Sequence, residues 1–574
     1  MSQDEIGTKK GISRRALLKS GAAAGVAAAL GGATAGVAAA AAGAGPLATG
    51  GEADSGDGKA TELVFVNGRI HTMDGSNTIA KSVSIRNGRF VAVGNSVSAG
   101  PGVRVINLHG ATVVPGIIDN HNHIVLMGNR PGYHTPLENA YSIADVQATY
   151  GARAAGIPAG AFITTIGGFH SNQFTELRLP TLAELDAAAP GHPAYITIGF
   201  SGPSVTNTLG KAFFEAAALP VTVAANGSIA SGTQTGRATL ALRQTLLNPA
   251  TRRQSVLDTM AYAAGLGITT HLDQGAFQAT NTPSDGAAHE DNYTMHLPFL
   301  GVYAEGKGII RLRINFLHME TTAGTPQLVE RLKNAFPFFG GDMVRTGGIG
   351  EFTASGLGPN WLDANRKVAA AGWRSEVHSL SATDFITEIQ GFETVNTEFP
   401  GIVGQQRWVV AHVPKINQEY VDRQKAMGGG LSLTGWQYLA GNLPTSGVPY
   451  AGPPFRLIVD SGVNTGLSSD GMQIAPMNPW LHMYFATTGL NAKHVQINPD
   501  QHISRQEALR LYTSDNGWFI REEDQLGSIE TGKLADLVVL NDDYFSVSDD
   551  DLKKIRSSLT VVGGQIVHDA GIAG

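Results

Sequence analysis

There is no cysteine among the 574 residues. Disulfides, thiolate metal ligands and a cysteine nucleophile are therefore excluded. Any metal must be held by His, Asp, Glu or a modified Lys. An excess of positive charge is also missing. Lys and Arg number 41 against 48 Asp and Glu, for a formal net charge of −7, and the pI is about 6.2. Nucleic-acid binders carry a basic footprint, so no nucleic-acid partner is expected. Beyond the N-terminal segment, no stretch is long and apolar enough to span a bilayer. What is present fits a folded globular protein: 42% hydrophobic and 16% charged residues. Length alone suggests roughly three or four domains, but α/β barrels run large as single domains.

The first 48 residues read as an export signal rather than part of the fold. Ser13-Arg14-Arg15-Ala16-Leu17-Leu18-Lys19 is a twin-arginine pattern, followed by an Ala/Gly-rich apolar run from Gly21 to about Ala44. Small residues from Ala40 to Ala48 offer cleavage sites. The expected partner is the twin-arginine translocation machinery, and the expected location is the periplasm or the extracellular space. An uncleaved signal acting as an anchor is the alternative, although Ala/Gly runs insert poorly. Residues 49–60 are a polar linker.

Short strands mark both ends of the remaining chain. Thr61–Asp74 predicts two strands around an Asn67-Gly68 hairpin, and Ser82–Gly94 repeats the pattern around Asn87-Gly88. Leu534–Asp542 and the pair of strands around Gly563-Gly564 lie at the other end. Each set is too small for a core of its own, so residues 61–112 and 526–570 are expected to build one β-sandwich. Between them, residues 113–525 alternate strand-like and helix-like segments. Strand candidates are Val113–Asp119, 267–273, 311–317, 347–352, 374–378, 408–412, 430–434 and 464–470. Helical patterns at Arg253–Leu266 and Gln327–Ala335 lie between some of them. Eight such units imply an α/β fold, a (β/α)8 barrel with its site at the strands' C-terminal ends. The long gap at about 124–266, with a further strand candidate at Ala194–Phe200, is expected to be an insertion near the mouth.

The stretch Val113–Ile124, VVPGIIDNHNHI, concentrates the chemistry. On a strand, residues i and i+2 face one way, so His121 and His123 point together. Alone, such a pair is more simply a buried strand with satisfied histidines. Other strand ends change that. The fourth ends in Glu351, the fifth in His378, the sixth in His412 and the eighth in Asp470. His, Asp and Glu gathered at one mouth suit a borderline ion such as zinc. Asp119 is expected to support the histidines, either behind them or by fixing the strand end. His170 reads as a loop cap or surface residue, His271 and His318 as mouth or packing residues, and Trp373, Trp436 and Trp480 as core or pocket lining.

VVPGIIDNHNHI resembles the first-strand signature of the amidohydrolase superfamily, and Gly527–Asp543 resembles its closing β-sandwich signature. VVAHV around His412 and GLSSDG around Asp470 match as well. Asp186, Pro190 and Thr206-Asn207 are similar to amidohydrolase family 3, which includes N-substituted formamide deformylases. The resemblance implies one or two divalent metals, zinc foremost. His121 and His123 would bind one metal with Asp470. His378 and His412 would bind a second, or one of them would hold substrate. Many members bridge the metals with a carbamylated lysine on the fourth strand. Here Gly350 stands at a plausible equivalent position with Glu351 beside it. Glu351 is the candidate bridge; a sideways salt bridge is its alternative role.

The implied activity is metal-dependent hydrolysis of a C–N bond in a small amide or formamide. Asp470 would act as proton shuttle and His378 would stabilise the intermediate. A deaminase or an ester/lactone hydrolase would use the same site. A catalytically silent binding protein on this fold would be expected to lack the ligand set. Substrate identity and assembly into a homo-oligomer stay open.

Overall fold

The computed structural model describes residues 62–276, 294–442 and 448–573. The twin-arginine segment and its linker lie outside the described residues. Among the described residues no helix is long and apolar enough to cross a membrane.

Two four-stranded parallel sheets form the centre. The first contains β1 (Ile117–Asn122), β2 (Ile268–Asp273), β3 (Arg311–Phe316) and β4 (Val344–Ile349), side by side in that order. The second contains β5 (Glu376–Ser379), β6 (Val409–His412), β7 (Gly430–Thr434) and β8 (Asn464–Ser468). A parallel bridge between Ile349 and Ser375 joins β4 to the start of β5. At the other edges, the Asp470 amide donates to the His121 carbonyl over 2.9 Å. β2 and β3 are buried at every position although they carry Thr269, Thr270, His271 and Asp273, and Arg311, Arg313 and Asn315.

Local signals explain the crossovers. The helix Pro249–Leu266 starts where Asn248 Oδ1 accepts from the amides of Ala250 and Thr251 (3.0 and 3.1 Å), with proline in its first turn. It stops at Gly267, whose φ of 86° gives the left-handed turn into β2. Buried ion pairs fix the other end of the strands. Arg311 grips both oxygens of Asp536 at 2.8 Å, and Arg313 takes Glu522 at 2.8 and 3.1 Å.

Val113–Ile124 is two strands, not one. Thr112–Pro115 pairs with Arg69-Ile70 and with Leu537–Val539, whereas Ile117–Asn122 begins the parallel sheet. The break falls at Gly116, where a Cβ would meet the Thr269 side chain and where the amide donates to Asp536 O instead. Asn67-Gly68 also differs from the expected hairpin. The strands on either side, Glu62–Val66 and Arg69–His71, enter different sheets. The turns at Asn87-Gly88 and Gly563-Gly564 do close antiparallel hairpins, all four residues having positive φ. Strands from both chain ends share a six-stranded sheet. One apolar cluster joins it to the four-stranded sheet built around Glu62–Val66: Phe65, Val83, Ile85 and Phe90 pack with Val113, Leu537, Val539 and Val561.

The segment after β1 contains a five-stranded sheet of its own, including Ala194–Thr197. Its polar signature residues are structural. Asn207 Oδ1 accepts from Gly210 N and Ala194 N at 3.0 Å, capping the helix Thr208–Glu215. Asp186 accepts from the amide and hydroxyl of Thr208 at 2.9 and 2.6 Å.

Candidate metal centre

All six expected residues meet at the C-terminal ends of the parallel strands. His121 sits within β1, His378 within β5 and His412 at the end of β6. His123 follows β1, and Glu351 and Asp470 lie two residues past β4 and β8. His412 and Asp470 hold φ values of 67° and 56°. Left-handed backbone at non-glycine residues is sparsely populated and concentrates at functional sites.

Glu351 is at the centre. Its Oε2 lies 2.6 Å from His378 Nδ1, 3.1 Å from His412 Nε2 and 3.3 Å from His121 Nε2. Its Oε1 lies 3.2 Å from His123 Nε2. Asp470 Oδ1 lies 3.3 Å from His123 Nε2 and 3.9 Å from His121 Nε2. The sideways salt bridge is not what forms, because no Lys or Arg pairs with Glu351 among the described residues. Gly350 has no room for a lysine. A Cβ there would stand 2.8 Å from Glu376 Cβ and 3.0 Å from Gln274 Oε1.

The histidines are held from behind. His121 Nδ1 lies 2.7 Å from Glu376 Oε1, His123 Nδ1 lies 2.7 Å from Gly275 O, and His412 Nδ1 lies 2.8 Å from Thr434 Oγ1. Partners on Nδ1 leave the three Nε2 atoms turned to the centre. His378 instead presents Nδ1, and its side chain alone keeps appreciable exposure, 19%. Asp119 performs its expected supporting task. It accepts from Ser469 N and Oγ (2.9 and 2.5 Å), tying β1 to the turn that carries Asp470.

Protonation follows this geometry. Burial opposes a charge on His121, yet Glu351 and Glu376 push it up to about 10. Burial likewise works against His123, and Asp470 with Glu351 raises it well above the usual imidazole value. Burial would raise Glu351, but His378, His121 and His123 hold it well below the ordinary carboxylate range. Asp470 is lowered too: burial is outweighed by His412, His123 and His121.

These residues fit a metal. Within each of two groups, His121–His123–Asp470 and His121–Glu351–His412, the ligand atoms lie within 4.8 Å of one another. Buried His121 Nε2, Glu351 Oε1 and Asp470 Oδ2 make no well-formed hydrogen bond. Buried polar atoms without partners are costly, and a divalent cation would supply such atoms with a partner. Imidazole and carboxylate donors with no thiolate are what zinc and similar ions accept.

A family model described as "Amidohydrolase family" matches residues 104–568. The chain belongs to the amidohydrolase family. The N-substituted formamide deformylase of Arthrobacter pascens is 23% identical over 562 residues, covering 88% of this chain and 98% of that protein. Among solved structures, an uncharacterized metal-dependent hydrolase from Pyrococcus horikoshii aligns with a TM-score of 0.57 at 18% identity, over 85% of this chain and 99% of that one. Atrazine chlorohydrolase from Arthrobacter aurescens TC1, complexed with zinc, aligns at 0.53 and 17% identity over 88% and 95%. At such identities the two structures speak for the fold alone.

Other residues of this amidohydrolase-family chain sort clearly. His271 and His318 are fully buried, and none of their ring nitrogens makes a hydrogen bond; burial lowers each to about 3. His170 caps the short turn Ser171–Gln173. Trp373 and Trp480 are core residues and Trp436 is half-buried. Glu376 and Thr434 did not stand out in the sequence. Glu376 carried a signal: it is two residues before His378 on one strand, so both face the centre. Thr434 carried none beyond its place at a strand end.

Proposed function

We propose that this chain is an exported hydrolase that uses one or two divalent metals, zinc first, to cleave a C–N bond in a small amide or formamide. The observation that carries this is the convergence of His121, His123, Glu351, His412 and Asp470, in which buried His121 Nε2, Glu351 Oε1 and Asp470 Oδ2 make no well-formed hydrogen bond. Family membership and the likeness to a formamide deformylase support the bond type. The architecture proposed is a closed (β/α)8 barrel with a β-sandwich from both chain ends. The Ile349–Ser375 bridge and the Asp470–His121 hydrogen bond support closure, and the shared apolar cluster supports the sandwich.

His121, His123 and Asp470 would hold one ion, Glu351 would bridge, and His378 with His412 would hold a second. When bound, a divalent ion supplies Lewis acidity, bringing water's pKa to about 7 and polarising a carbonyl. Asp470 accepts a proton from the attacking water and returns it to the leaving nitrogen; one carboxylate serves both steps because they are sequential. Where only one ion is held, His378, the most exposed of the set, would instead donate to the developing oxyanion. Glu376 and Gly275 keep His121 and His123 in the tautomer that turns Nε2 inward.

The test is metal analysis of the purified chain together with a panel of formamides, N-acyl amino acids, cyclic amides, esters and lactones. About one or two zinc-like ions per chain and turnover on an amide or formamide are expected. A metal-free chain that is fully active would overturn the proposal, and turnover confined to esters, lactones or deamination would move it to another bond. Export is tested separately. Replacing Arg14 and Arg15 by Lys should retain the protein in the cytoplasm; unchanged export would remove the twin-arginine reading.

A further inference from the structure

The pins on His121 and His412 are side chains, but the pin on His123 is a backbone carbonyl that a chain of contacts holds. Asp273, the last residue of β2, is buried and accepts from two amides. Val125 N, in the turn that follows His123, donates to Oδ1 over 3.1 Å. Gly275 N donates to Oδ2 over 2.9 Å. His296 Nε2 lies 2.7 Å from the same Oδ2. The Gly275 carbonyl is the group that faces His123 Nδ1 at 2.7 Å. Asp273 thus fixes the backbone on the far side of His123 and the carbonyl that its ring addresses.

Electrostatics agree with that arrangement. A carbonyl can only accept, so His123 Nδ1 carries the proton and Nε2 offers its lone pair to the centre. The Gly275 carbonyl is held by a short turn with φ of 77°. Asp273 fixes that turn, and His296 in turn fixes Asp273. His296 and Asp273 are 4% and 0% exposed, so the pair is shielded from water.

We propose that Asp273 and His296 are positioning residues that aim His123 at the metal, acting through the Gly275 carbonyl. The proposal rests on the metal-centre reading given above. Loss of the His296 contact leaves Asp273 held by the Val125 and Gly275 amides alone, so the Gly275 carbonyl is held less firmly and the direction of His123 loosens. Partners of this kind typically govern metal affinity by about ten- to a hundredfold.

The test uses the full-length chain, stripped of metal and titrated with Zn²⁺ against a chromophoric chelator, then with Co²⁺ followed by visible absorption. H296F and H296A remove the donor; H296Q keeps an amide that still donates to Asp273. H296F or H296A should bind Zn²⁺ at least about tenfold more weakly and show a displaced Co²⁺ band, with circular dichroism unchanged. H296Q should recover most of both. Wild-type affinity and an unshifted band in a folded H296F or H296A overturn the proposal. So does an H296Q that is as impaired as H296A. If neither H296F nor H296A folds while H296Q does, the role is structural and the proposal also falls. The wild-type titration separates the two levels: a wild-type chain that binds neither ion overturns the metal centre itself.

Discussion

His121 Nδ1 stands 2.7 Å from Glu376 Oε1, and neither side chain touches solvent. Glu376 is in turn gripped by Arg374 Nη2 at 2.6 Å and approached by Asn315 Nδ2 at 3.2 Å. A carboxylate so held makes its histidine a fixed and more basic ligand. E376Q keeps the shape and removes the charge. It should weaken the retention of zinc by about ten- to a hundredfold, and leave Arg374 buried without its carboxylate, so the melting temperature should fall as well. Chelator competition and thermal melts measure the two effects; wild-type zinc affinity in E376Q would remove Glu376 from the centre.

Glu351 stands beside Gly350, the position the resemblance sets against the bridging lysine of many members. Gly350 beside it is sterically closed, with Glu376 Cβ 2.8 Å from any added Cβ. E351A should therefore lose the second equivalent of metal. G350K combined with E351A should not restore it, even with added bicarbonate. G350A alone should cost about 1–3 kcal/mol by overpacking against Glu376. Metal content by elemental analysis checks the first two, and denaturant unfolding checks the third. Recovery of metal in the double variant would return the bridge to position 350.

Much of this was legible in the residues because strand periodicity carries it. His121 and His123 share a face by spacing, and His378, His412 and Asp470 follow apolar runs that can only be strands or short helices. Glu351 was visible as the candidate bridge, with an ion pair as its alternative, because a carboxylate at a strand end suits both. The structure sets its carboxylate against histidine rings, with no Lys or Arg paired to it among the described residues. The pins were harder to see. Gly275 acts through a backbone carbonyl, which has no residue signature, and His296 lies 23 residues from Asp273. Gly116 was passed over as a break because the Val113–Asp119 run is apolar on both sides; only the close approach of Thr269 shows why a glycine must sit there. Asn67-Gly68 has the residues of a hairpin turn, yet Gly68 packs against Leu108 and the chain crosses between sheets.

Acid–base balance should separate the metal-free and loaded forms. In the metal-free chain, His121 has its pKa raised from 6.5 to about 10: burial opposes this, and the neighbouring Glu351 and Glu376 carboxylates outweigh it. A raised folded value stabilises fully below 6.5 and the contribution is lost as pH rises through about 10. Glu351 and Asp470 are depressed, so their contribution exists above the ordinary carboxylate pKa and is lost as pH falls. Buried His271 and His318, lowered to about 3, likewise cost stability as pH falls below 6.5, so the distinctive mark of the centre is a loss of metal-free stability as pH rises from 6.5 toward 10. Metal affinity should move oppositely, since each cation must displace the protons on His121 and His123. Melting temperatures with and without zinc across this range should diverge as pH rises; parallel curves would count against a shared set of groups.

Asp470 is asked to do two things, and they can be separated. Its Oδ1 faces His123 Nε2 at 3.3 Å, as a ligand would, while Oδ2 is buried without a hydrogen bond, as a proton acceptor would be. D470N preserves the shape and the backbone hydrogen bond from residue 470 to the His121 carbonyl. If Asp470 were a ligand only, lost activity would return when zinc is supplied in excess. If it also moves the proton, D470N saturated with zinc should remain about 10²- to 10⁴-fold slower, the usual scale for a general acid–base group. The acidic limb of the rate profile should vanish with it, because the amide no longer titrates. Turnover at saturating zinc within a few-fold of wild type would leave Asp470 as a ligand and assign the proton transfer to another group, His378 first.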